Sequence, residues 1–190
     1  MKVLGIAGSP RRGGNTDILL EQALEGAKSI GAETETIEIS DLDISPCLHC
    51  DGCLEEGNCV VNDDMQSVYT KLREADRIII ASPMFFMGLT AQTKALIDRC
   101  QALWAIKYVL KQPLALNSGG ERKGFFISVG GTGYKDNFDS PRPILKSWIA
   151  VIDVKFTGEL TYAKIDEKGA IKDHPTALRD AFEAGKNLAQ

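Results

Sequence analysis

The chain has 190 residues, 44% of them apolar and 25% charged, with a net charge of −4. That is enough for one domain with a real core and an ordinary composition for a globular chain. The charge balance excludes a basic nucleic-acid surface, and no basic amphipathic stripe suggests a membrane partner.

Lys2 to Gly8 is a short apolar run leading into Gly-Ser-Pro and predicts a buried first strand. Leu19, Leu20, Ala23, Leu24, Ala27 and Ile30 then recur at helical spacing over Thr16 to Ile30. Thr34 to Ile39 alternates polar and apolar residues as an edge strand would. Asp63 or Asp64 is expected to cap a helix reaching about Ala75, with Gln66 in capping-box register to Asp63. Arg77 to Ala81, with three consecutive isoleucines, predicts a strand buried on both faces. A helix is expected over Thr90 to Ala105, a strand over Lys123 to Val129, and a helix over Pro143 to Val151. Lys155 to Ala163 completes the strands and Pro175 to Ala189 forms a closing helix. This alternation implies an α/β fold with a parallel sheet and helices on both faces.

The run from Ile78 to Leu89 is interrupted by Ser82, Pro83 and Gly88, so it is not a spanning helix. The opening residues form too short an apolar run for a signal peptide. A cytoplasmic location is expected, where thiols stay reduced. The segment from Asp41 to Asn62 has no periodicity, and it needs an organiser. It contains Cys47, Cys50, Cys53 and Cys59, spaced C-x2-C-x2-C-x5-C. Three thiolates at that interval with a fourth close by suit an iron–sulfur cubane. A set of redox or idle thiols and a zinc site are the alternatives, although zinc sites usually pair two separated C-x-x-C elements. Cys100 reads as a core residue, His49 as solvated, and Lys94 with Asp98 as an i,i+4 pair.

Three loops follow predicted strands. Ser9-Pro10-Arg11-Arg12-Gly13-Gly14-Asn15-Thr16 brings hydroxyls, guanidiniums and a helix N-terminus together, which describes an anion site. It is neither a Walker loop nor the G-x-G-x-x-G fingerprint. Pro83-Met84-Phe85-Phe86-Met87-Gly88 is apolar at the carboxyl edge of a strand, where ligands of open sheets bind. Gly130-Gly131-Thr132 forms a third loop, weaker evidence taken alone.

The strings S-P-R-x-x-x-N-T at 9–16 and S-P-x-x-x-x-G-x-x-x-Q-x-K-A-x-I-D-R at 82–99, followed by the Gly-Gly loop, resemble the flavodoxin-fold NAD(P)H-dependent FMN reductases. The cysteine string places the chain nearer their iron–sulfur flavoprotein branch. The resemblance implies a flavodoxin-like domain over 1–190, a five-stranded parallel sheet of order 2-1-3-4-5, and a Cys-rich insertion at about 41–62. It implies FMN phosphate on Ser9, Arg11, Asn15 and Thr16. The flavin ring and ribityl chain would lie along Pro83, Met84, Phe85, Phe86, Met87 and Gly88, with Gly130, Gly131 and Thr132 at the other edge. A [4Fe-4S] cluster would sit on Cys47, Cys50, Cys53 and Cys59.

No Ser-His-Asp set, H-E-x-x-H or isolated carboxylate pair stands out, and a flavin makes such catalytic side chains unnecessary. The function expected is an FMN-dependent oxidoreductase passing electrons from ferredoxin or NAD(P)H to an acceptor the sequence does not name. A homodimer or homotetramer is expected from the resemblance, with no nucleic-acid or membrane partner. The alternatives are a cluster-free NAD(P)H-dependent FMN or quinone reductase and, from another class, a non-enzymatic redox-sensing or metal-stabilised binding module.

Overall fold

The structure, a computed structural model, describes residues 1–117 and 120–190. Five strands, β1 (Lys2–Ala7), β2 (Glu33–Glu38), β3 (Arg77–Ala81), β4 (Lys123–Gly130) and β5 (Lys155–Ala163), form one sheet. Its order is β2-β1-β3-β4-β5 and every pairing is parallel. Side chains alternate across each strand, so the sheet divides its core in two. On one face Leu4, Ile6, Ile78, Ile80 and Phe126 pack under α3 (Met65–Glu74), α4 (Ala91–Arg99) and α6 (Pro141–Val151). On the other Val3, Ala7, Ile79, Ile127 and Val129 pack under α1 (Asn15–Lys28) and α7 (Ala177–Leu188). The expected parallel doubly wound sheet is the one observed. β3, central and buried along its whole length, accounts for the unbroken isoleucines.

Three local expectations give way. The helix expected over Thr90 to Ala105 breaks at Cys100, continues as α5 (Gln101–Trp104) and widens into a π-helical turn at Ala105–Val109. At the break the Tyr69 hydroxyl donates to the Arg99 carbonyl at 2.7 Å, inserting a side chain at the end of the ladder. The capping box at Asp63 does not form. Asp63 accepts from the Met65 amide at 3.1 Å, but Gln66 turns away and donates to the carbonyls of Cys59 and Val61. Those carbonyls belong to a segment with no ladder of its own, so they need a side-chain donor. That segment also contains one helical turn, α2 (Cys53–Glu56), between otherwise irregular stretches. No helix among the described residues is long and apolar enough to cross a membrane.

Candidate functional site

The carboxyl ends of β1, β3 and β4 lie side by side, and their loops meet. Ser9, Arg11, Gly14, Asn15 and Thr16 from the first loop, Pro83, Met84 and Phe85 from the second, and Gly131 from the third line one cavity of about 130 Å³. Gly14, extended and without a side chain to cap α1, leaves the first-turn amides of that helix to a ligand. Asp17 lies buried beneath this turn. Burial pushes its carboxyl up, while the Gly14 and Gly13 amides and Arg12 pull the other way. Arg12 itself turns outward to Glu38 and Asp41.

Buried hydroxyls tie the loops together. Gly8 donates its amide to the Ala81 carbonyl at 2.7 Å, and the hydroxyls of Thr90 and Thr93 donate to the Gly8 carbonyl at 2.6 and 3.2 Å. A Cβ on Gly8 would stand 2.1 Å from Thr93 Oγ1, so only glycine allows this approach. The Ser128 hydroxyl donates to the Ser82 carbonyl at 2.8 Å, and the Met84 amide to the Val129 carbonyl at 3.0 Å. Thr90, Thr93, Ser82 and Ser128 are fully buried. They set the relative positions of all three loops, yet in sequence they are only isolated hydroxyl residues.

The second loop ends in a tight turn. Phe85 and Gly88 exchange both backbone hydrogen bonds at 3.0 Å, with Phe86 and Met87 between them at φ 48° and 65°. Bulky residues avoid that region, at a cost of about 1–3 kcal/mol each. Phe86 is completely exposed, so no packing offsets its strain. Gly88, Phe86 and Met87 sit beside the cavity in sequence but do not line it, and Gly130 and Thr132 flank Gly131 in the same way.

Sequence reasoning missed a fourth wall. Ile165, Asp166 and Lys168, after β5, also line the cavity. Asn15, which lines the cavity, also binds this wall. Its Oδ1 accepts from the Gly169 and Ile171 amides at 2.9 and 3.2 Å, and its Nδ2 donates to the Glu167 carbonyl at 2.9 Å.

The four cysteines of the irregular segment line a second, smaller cavity with Val61, Arg99 and Ala102. All four are free thiols, Cys50 exposed and the others half-buried. Positive φ at His49 and Asp51 turns the backbone on either side of Cys50. Gly57, at φ 78°, ends α2 against the π-helical turn, where a Cβ would meet Ile106 at 2.4 Å. Burial pushes the Cys53 thiol up, and the other three sulfurs add to the effect, which places all four in one electrostatic neighbourhood. Cys100 is apart from them, buried on the helix, its thiol pushed up to about 12 and its sulfur accepting from the Trp148 indole at 3.2 Å.

Among the described residues no three ligand-type side chains converge on a single-ion position, as tetrahedral zinc would require. A cubane makes a different demand, because each thiolate binds its own iron and the sulfurs stand at separate corners. Four thiols around one cavity supply that donor set, and Arg99, paired with Asp63, forms part of the wall. At about 20 Å³ the cavity has room for roughly one water, so the exposed part of the segment must open to take a larger centre.

Comparison with known proteins follows the same lines. The sequence profile of the NADPH-dependent FMN reductase family matches residues 1–135. The iron-sulfur flavoprotein of Methanosarcina thermophila is 44% identical over 126 residues, covering 65% of this chain and 66% of that protein. The chain thus spans just under two thirds of the length of the curated relatives it matches, which include two further archaeal proteins of the same description. Solved structures that share the fold include two of related chemistry by name. The NAD(P)H:quinone oxidoreductase from Methanothermobacter marburgensis has a TM-score of 0.73 at 17% identity, over 100% of this chain and 96% of that one. A flavodoxin from the domain Archaea has a TM-score of 0.58 at 12% identity, over 100% and 96%. With the sheet order of a flavodoxin and a family match through all three strand-end loops and the cysteine string, the chain belongs to the NADPH-dependent FMN reductase family of oxidoreductases.

Proposed function

We propose that this chain is an iron–sulfur flavoprotein. It binds FMN where the three loops meet and one [4Fe-4S] cluster on Cys47, Cys50, Cys53 and Cys59, and it transfers electrons from ferredoxin or NAD(P)H to an acceptor. The convergence of an anion-binding helix end, an apolar loop and a glycine loop on one cavity at the switch of the strand order carries the reading. When bound, flavin supplies both two-electron and one-electron chemistry, and the cluster moves single electrons. The chain's own residues bind and orient. Ser9, Arg11 and Thr16 with the α1 amides take the phosphate, while Pro83, Met84 and Phe85 shield the ring from water. Helix α4 touches both places. Thr90 and Thr93 at its start hold the first loop, and Arg99 at its end holds the cysteine segment, about 14 Å along the axis.

The test is anaerobic purification, with the visible spectrum, iron and sulfide counts, and electron paramagnetic resonance of the reduced protein. A flavin spectrum with about four irons per chain, lost in Cys50→Ala, is the expected result. Flavin with less than one iron after anaerobic reconstitution overturns the cluster and leaves a cluster-free reductase. Protein that takes up neither overturns the whole reading in favour of a binding module.

A further inference from the structure

We propose that Lys168 is the second cation of the phosphate site, and that Asn15 is the latch that holds it there rather than a ligand of the phosphate. This rests on the reading of the cavity as an FMN site. It concerns the fourth wall, which lies beyond the 1–135 segment matched by the family.

A flavin phosphate is a monoester carrying about −1.5 to −2 charge at neutral pH. The first loop by itself offers it little positive charge. Arg12 is committed to Glu38 at 2.5 Å and to Asp41. Beneath the turn, the buried Asp17 carboxyl adds no positive charge. Arg11 is the one cation of this loop that lines the cavity, and Lys168 is the other cation on its wall. At Gly13, where φ is 62°, a Cβ would come within 3.6 Å of Lys168 Cε and 3.7 Å of Nζ. The ammonium group therefore hangs over the crest of the phosphate loop, although 155 residues separate the two in the chain.

A lysine on an exposed loop keeps such a position only if its backbone is held. Asn15 does this with three hydrogen bonds to the residues around Lys168, accepting from Gly169 and Ile171 and donating to Glu167. An amide side chain has two donor hydrogens and two acceptor lone pairs, so these bonds leave Asn15 a single N–H. Asp166, next but one in the chain, is directed at the third loop: its Oδ1 would lie 2.8 Å from a Cβ on Gly131. The turn thus places Asp166 toward the third loop and Lys168 over the phosphate loop, with Glu167 between them in the chain.

FMN and riboflavin differ by the phosphate alone, so the pair isolates this end of the site. Flavin fluorescence quenching on the full-length, flavin-stripped protein gives both affinities. Lys168→Gln should weaken FMN binding about tenfold, the size of one charge-assisted hydrogen bond, and leave riboflavin unchanged. Lys168→Arg should recover most of the loss. Asn15→Ala should weaken FMN to a similar degree, and the double variant should be no worse than the weaker single one, because the latch acts through the lysine. An unchanged FMN-to-riboflavin ratio in Lys168→Gln overturns the assignment of Lys168. Additive losses in the double variant overturn the latch and make Asn15 a direct ligand. A wild-type protein that binds neither flavin overturns the FMN reading itself, and this proposal with it.

Discussion

The guanidinium of Arg99 grips the carboxylate of Asp63 through two hydrogen bonds of 2.5 and 3.0 Å, with side-chain exposures of 0% and 6%. The same guanidinium donates to the carbonyls of Ser45 and Val61. Ser45 lies just before the first cysteine, and Val61 and Asp63 just after the last, so one side chain buckles both ends of the segment. Removing one partner of a buried pair leaves an uncompensated charge and costs about 3–5 kcal/mol. Arg99→Leu should lose that much stability in urea denaturation, and Arg99→Leu with Asp63→Leu should recover a large part of it.

Asp63 also makes stability depend on pH. Burial pushes its carboxyl up, but the hydrogen bonds from Arg99 and from the Ser45 and Met65 amides, together with the Arg99 charge, bring it below the usual carboxylate range. The native state therefore binds this proton less tightly than the unfolded chain does. The contribution is complete above the ordinary carboxylate value and is lost as pH falls through the depressed one. Asp63→Asn should show a shallower loss of stability than wild type between about pH 5 and 2, read as the urea midpoint at each pH.

Gly57 should tolerate no side chain. Alanine there would combine the strain of positive φ with a Cβ 2.4 Å from Ile106 Cγ1. Gly57→Ala should cost about 1–3 kcal/mol and expose the 47–60 segment to limited proteolysis. Ile106→Ala in the same chain should restore part of the protection, since it removes the clash but not the strain.

The phosphate end should depend on Arg11 and Thr16. Replacing both with alanine removes one charge-assisted and one neutral hydrogen bond, or about 2–4 kcal/mol of FMN affinity. Titration of the double variant with FMN should show this loss, while riboflavin affinity stays within a factor of about two.

The turn at Phe86-Met87 stores strain that a better turn sequence would release. Asn-Gly suits two consecutive positive-φ residues. Phe86→Asn with Met87→Gly should raise the thermal midpoint, equivalent to about 1–2 kcal/mol, because the exposed Phe86 gives up no packing. Flavin affinity should fall in the same variant if the turn covers the ring, and a gain in both would show that the strain serves no ligand.

By itself the sequence determined what short-range pattern encodes. Alternation and the isoleucine run placed β2 and β3, helical spacing placed α1, and the glycine, proline and cysteine strings marked three loops and one irregular segment. These signals are local because periodicity and backbone conformation are set by neighbouring residues. Tertiary structure decided the rest. Arg99 looked like the end of a motif and is the buckle of the cysteine segment. Gln66 looked like half of a capping box and instead satisfies two carbonyls of that segment. Asn15, which the local motif puts on the phosphate, also bonds through its amide to residues more than 150 positions away. Each of these side chains has several possible hydrogen-bond partners, and which one it takes depends on what the fold brings near it. The parallel sheet does that by returning β5 beside β4, which carries the loop of Asp166 and Lys168 to the cavity begun at β1.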